Sequence, residues 1–115
     1  MHERERRQAE NEGLFRSVNE RIERLAEGPF DSAAAGERAV DFVCECADTS
    51  CTEPVALTIR EYEAIRAAGN RFVVAPAAEH VDTSIEHVVD MSSRYWVVEK
   101  LDQAGEQAER DDPRA

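Results

Sequence analysis

Cys44, Cys46 and Cys51 fall within eight consecutive residues, and the chain of 115 has no other cysteine. Thiolates gathered this closely suit one metal ion. On an extended strand, residues two apart share a face with β-carbons roughly 6 to 7 Å apart, so ordinary rotamers can bring Cys44 and Cys46 to a common centre. Cys46 and Cys51 are separated by four residues, at the upper end of the loop spacing usual for zinc ligands. His80 lies about thirty residues downstream, beyond an intervening helix, and completes a set of three sulfurs and one imidazole. His87 is the alternative fourth ligand, and His2 lies in the terminal stretch and is set aside. Zinc is the expected ion, because thiolate and imidazole in four-coordinate geometry suit it and no further cysteine completes an iron–sulfur cluster. With four protein ligands no position is left for water or substrate, so the ion is expected to be structural.

Other readings of these residues stay open. Cys44 and Cys46 can be buried strand residues without a metal, since cysteine is among the most buried residue types. A thiol sensor is opposed by the nearby acids Glu45, Asp48 and Glu53, which raise thiol pKa values. If His80 is not a ligand, a water in the open position with Glu79 or Glu45 as base makes a metal-dependent enzyme. A redox-responsive regulator that loses its metal on oxidation is the remaining reading.

The elements that must position these residues follow from periodicity. Leu14, Phe15, Val18, Ile22, Leu25 and Ala26 form a one-sided stripe at three- and four-residue spacing, which predicts an amphipathic helix over 1–27, stopped by Gly28-Pro29. It is expected either to pack on its own sheet or to project as a docking or dimerisation helix. Residues 29–37 read as a linker. Val40, Phe42, Cys44 and Cys46 alternate with Asp41, Val43 and Glu45 as a strand, the loop 47–50 turns the chain, and residues 54–57 return. Thr58 to Glu61 matches a capping box, which starts a helix with Ile59, Tyr62 and Ile65 facing inward and Gly69 as its left-handed stop. Residues 71–75 are a short strand, 77–85 a loop or single helical turn, and 86–91 with 94–101 a hairpin about Ser92-Ser93. The expected fold is therefore α+β: a long N-terminal helix, one short helix and a small, mostly antiparallel sheet. Its organisation divides into the helix 1–27, an α+β zinc-binding core over 38–101, and a frayed or disordered acidic tail over 102–115.

The formal net charge is -11 and the chain has one lysine, which argues against a phosphate backbone or an anionic membrane surface as a partner. No run of 18 apolar residues and no apolar stretch behind the first residues is present, so neither a membrane span nor a signal peptide is expected, and the cytoplasm is the expected compartment. No catalytic set stands out. Glu61 and Glu63 read as a solvated acidic face, and Ser92-Ser93 has no base at a suggestive spacing.

Segments 11–22, 42–51, 61–66, 71–76 and 95–100 together resemble a group of short, uncharacterised bacterial proteins, best represented among actinobacteria, with a Phe-x-Cys-x-Cys-x4-Cys motif and a downstream histidine. In that group the histidine follows the Arg-Phe strand as Pro-Gly-His-Glu or a close variant. Here Pro76-Ala77-Ala78-Glu79-His80 is offset by two residues, while the spacing from His80 to Val88-Val89 matches. The resemblance implies the fold and His80 as ligand, and implies no activity. The leading expectation is a small non-enzymatic zinc module acting as a protein-interaction or regulatory accessory protein, with a protein partner or self-association through the N-terminal helix.

Overall fold

The computed structural model describes residues 3–27, 38–46, 48, 51, 53–112 and 114. The expected linker 29–37 and most of the turn at 47–50 lie outside these residues.

Thr58 begins a helix as its sequence requires. Its hydroxyl accepts from the Glu61 amide at 3.1 Å, and the Glu61 carboxylate accepts from the Thr58 amide at 2.8 Å. The helix, α2 over Ile59–Arg66, buries Ile59, Tyr62 and Ile65 on one face. Tyr62 stacks on Phe42, with ring centroids 4.5 Å apart. Its end differs from expectation. The chain leaves through Ala67 in right-handed conformation (φ -63°, ψ -22°), and Gly69 is not a left-handed cap. Space at Gly69 is tight, since a β-carbon there would lie 2.9 Å from the Asp112 carboxylate and 3.4 Å from the Glu109 backbone.

The strands form two antiparallel sheets, where the sequence suggested one. Strand β1 (Ala39–Val43) pairs with β2 (Pro54–Thr58), placing Phe42 opposite Val55. Strands β3 (Arg71–Val74), β4 (Glu86–Met91) and β5 (Trp96–Lys100) form a sheet in the order β3-β5-β4, with a bulge in β4 between Val88 and Asp90. β1 stops before the cysteines. Beyond it the Cys44 amide still donates to the Glu53 carbonyl at 3.2 Å, and the next amide, of Glu45, donates to the Val73 carbonyl at 2.8 Å. The cysteine segment thus carries the chain from one sheet to the edge of the other.

Helix α1 spans Glu3–Glu27, as expected, and it packs on the body, but not through its apolar stripe. Leu14, Val18 and Leu25 are 58%, 39% and 76% exposed; of the predicted stripe, Ile22 and Ala26 reach the edge of the core. The inward face is Glu12, Arg16, Asn19, Glu20 and Glu23, all buried. The Arg16 guanidinium lies over the Phe72 ring, 4.3 Å from its centroid, and donates to the carbonyls of Gly69 (2.7 Å) and Ala108 (2.8 Å). The Lys100 ammonium is held between the carboxylates of Glu12 and Glu86.

For the stretch after Lys100 composition left a frayed helix or a disordered tail open, and the helical alternative is found. Asp102–Arg110 forms a second short helix, α3, with Gly105 and Ala108 buried. Its end is tied to the body by ion pairs: Arg66, itself paired with Glu20, also pairs with Asp112, and Arg114 reaches Glu20, Glu23 and Glu63.

Candidate metal centre

The ligands reach the site by three local devices. Cys44 and Cys46 straddle Glu45 on the extended segment between the sheets, so their side chains share one side while that of Glu45 takes the other. Both cysteines are buried. Cys51 is half-buried and enters from a turn closed by its own amide donating to the Asp48 carbonyl at 3.0 Å. His80 ends a single 3-10 turn, Ala78–His80, after Pro76 has ended the sheet strand. The expected loop or helical turn is this element. Its placement depends on Ala75, whose amide donates to Cys44 Sγ at 3.2 Å while its carbonyl accepts from the Ala77 amide at 2.8 Å.

The four ligand atoms lie within 4.8 Å of one another, and they are the one such group of three or more among the described residues. His80 Nδ1 is 3.6 Å from Cys44 Sγ and 3.7 Å from Cys51 Sγ. Zinc–sulfur bonds of about 2.3 Å and zinc–nitrogen bonds of about 2.0 Å set a tetrahedral sulfur-to-nitrogen edge of roughly 3.6 Å, which these separations meet. A group with these donors at these distances can hold a metal ion. His87 is exposed on β4 opposite Glu99 and takes no part in the group.

Crowding makes the three sulfurs titrate unequally. The Cys46 thiol is held down to about 5, first by the hydrogen bond from Cys44, while Cys44 is pushed up by the same bond and by burial. Burial pushes Cys51 up as well. A divalent cation resolves that competition, since it favours the deprotonated form of each ligand sulfur. The Ala75 amide aimed at Cys44 Sγ acts in the same direction, giving a buried thiolate a donor.

Of the two acids considered as a base beside the metal, Glu45 is committed elsewhere. Glu45 is fully buried on the far side of its own backbone, where Oε2 accepts from Asn19 Nδ2 at 2.9 Å and from the Tyr62 hydroxyl at 2.8 Å. Its Oε1 accepts from the Val73 amide at 2.9 Å. Burial pushes the Glu45 carboxyl up, and these three donors oppose that shift. Glu79 is 79% exposed and lies 3.7 Å from His80 Nε2, the nitrogen turned away from the sulfurs. Sequence reasoning missed the buried role of Glu45. The available signal was strand alternation: an acid between two inward cysteines must point into whatever covers the opposite face, and α1 covers it.

No protein-family model, curated protein or solved structure matches the chain. Among the described residues, no helix is long and apolar enough to cross a membrane.

Proposed function

We propose that the chain is a non-enzymatic module assembled around a structural zinc ion held by Cys44, Cys46, Cys51 and His80, and that it serves as an accessory protein through its surface. The observation that carries this reading is the separation of His80 Nδ1 from two of the sulfurs, 3.6 and 3.7 Å, which suits a tetrahedral cation. The donor set favours zinc over harder ions, since three thiolates and an imidazole are poor ligands for magnesium or calcium. With all four positions taken by protein, the ion clamps the inter-sheet segment, the turn at Cys51 and the loop after β3. That role is large in a small domain, because structural zinc supplies about 10 to 16 kcal/mol of binding free energy against a usual net stability of about 5 to 15 kcal/mol. The protein-facing surface is the outward stripe of α1, Leu14, Val18 and Leu25, which supports a protein partner or a second copy of the chain as its cover.

Purified protein is expected to contain one zinc per chain, and cobalt in its place to give the intense visible bands of a tetrahedral thiolate-rich site. Cys44→Ser and His80→Ala should each lower the metal content and the melting temperature together. A wild-type protein that binds no zinc removes the proposal, and a cobalt spectrum showing an exchangeable water at the fourth position converts it to a metal-dependent enzyme.

A further inference from the structure

Glu45 stands between two ligand cysteines, and the hydrogen bonds that fix it come from outside the site. Its carboxylate takes one bond from α1 through Asn19, one from α2 through Tyr62 and one from β3 through Val73. Adjacent residues of an extended segment face opposite ways, so holding the carboxylate holds the direction of the sulfurs on either side. Asn19 tightens the same segment at a second point. Besides reaching Glu45, its Nδ2 donates to the Val43 carbonyl at 2.8 Å, and its Oδ1 accepts from the Val43 amide at 2.8 Å. Val43 is the last residue of β1 and the neighbour of Cys44. One fully buried side chain of α1 therefore grips both residues that flank Cys44.

We propose that Asn19 and Glu45 are positioning residues of the metal centre and make the docking of α1 and the filling of the site one linked equilibrium. The inference rests on the zinc reading above and adds to it a regulated element. Groups that orient metal ligands from outside the coordination sphere commonly change metal affinity 10- to 100-fold when removed. Linkage is reciprocal, so the factor by which docked α1 strengthens zinc binding is the factor by which bound zinc strengthens the docking of α1. α1 is suited to such a response because its buried face is polar and held by a few specific bonds, whereas its apolar stripe is turned outward. Zinc then governs how firmly the stripe Leu14, Val18 and Leu25 is presented to a partner.

Two measurements test this on the full chain. Zinc affinity, read by competition with a chromophoric chelator, is expected to fall at least tenfold in Asn19→Ala. In Val98→Ala, a core change in β5 that serves as the stability control, it is expected to fall no more than threefold. In wild-type protein, removal of zinc is expected to speed amide exchange at residues 14–26 of α1 at least tenfold more than at residues 59–66 of α2. An Asn19→Ala affinity loss no greater than that of the control, or α1 exchange that rises no more than that of α2, overturns the coupling. Should Asn19→Ala not fold, the wild-type exchange comparison decides alone. Failure of the zinc reading is seen separately, as wild-type protein that takes up no metal.

Discussion

α1 and α2 pack on the same body by opposite rules. α2 buries Ile59, Tyr62 and Ile65 and turns Arg60 and Ala64 outward, the usual arrangement of an amphipathic helix, with one buried charge, Arg66, at its end, paired to Glu20 and Asp112. α1 buries Glu12, Arg16, Asn19, Glu20 and Glu23 and exposes Leu14, Val18 and Leu25. The difference shows that a helix can be docked by addressed polar contacts as well as by apolar area. Such docking is position-specific, since every buried donor needs its acceptor: Arg16 meets the Gly69 and Ala108 carbonyls, Asn19 meets Val43 and Glu45, and Glu20 meets Arg66 and Arg114. Buried ionic groups add less net stability than equal apolar volume, so α2 is the firmer and α1 the more conditional of the two.

The sharpest way to break this contrast is to remove apolar volume from α2. Tyr62→Ala deletes the ring stacked on Phe42 and the hydroxyl bonded to Glu45, and it is expected to cost about 4 kcal/mol by the usual scale for buried aromatic-to-alanine changes. Urea unfolding measures it. A loss below about 1 kcal/mol would mean that α2 is not the apolar anchor, given that core deletions of this size run at 3 to 5 kcal/mol.

What the sequence discloses divides along the same line. α2 was legible in its start and its inward face, though not in its stop, because capping box, apolar spacing and burial are all local to Thr58–Arg66. The group able to hold a metal was legible too: soft ligands are rare in this chain, and strand alternation already set Cys44 and Cys46 on one side. The facing of α1 was not. Its polar positions 12, 16, 19, 20 and 23 recur with the same period as its apolar ones, so periodicity predicts a helix and leaves its rotation to burial preference. Burial preference favoured the apolar side. The partners that reverse it, Val43, Glu45, Gly69, Lys100 and Ala108, are far off in sequence, and nothing local announces them. The last helix was only half legible for the same reason: what ties it down is distant in sequence, Arg16 of α1 donating to the Ala108 carbonyl and Arg66 of α2 pairing with Asp112 just beyond its end.

A middle-sized effect of pH is expected through the buried face of α1. Burial raises the Glu12 carboxyl from 4.5 to about 7, against the opposing pull of Lys100, which Glu12 shares with Glu86. A carboxyl with a higher pKa in the folded chain than in the unfolded one binds more protons when folded. Stability therefore falls as pH rises from about 4.5 to about 7 and is level on either side, a total of roughly 3 kcal/mol from this group. Glu12→Gln should remove that part of the slope. The measurement is the difference between variant and wild-type unfolding free energies across this pH range. A difference that stays constant with pH would show that Glu12 is not buried as an acid, and the polar docking of α1 would lose one of its members.

The smallest expected effect discriminates most cleanly. Leu14 and Leu25 lie on the outward side of α1, and leucine and glutamine have similar helix propensities, so Leu14→Gln and Leu25→Gln should each leave stability within about 0.5 kcal/mol of wild type. Were the apolar stripe the docking face, as its periodicity alone suggests, each change would strip a buried leucine and add an amide without a partner, at a cost of about 2 to 5 kcal/mol. The two orientations of α1 thus differ several-fold in the stability change that one unfolding curve reads, and the partner need not be known. Near-neutral variants also separate stability from association. If the stripe is a protein-facing surface, Leu14→Gln and Leu25→Gln lose self-association or partner capture while unfolding at the wild-type midpoint, a combination that a core position cannot produce.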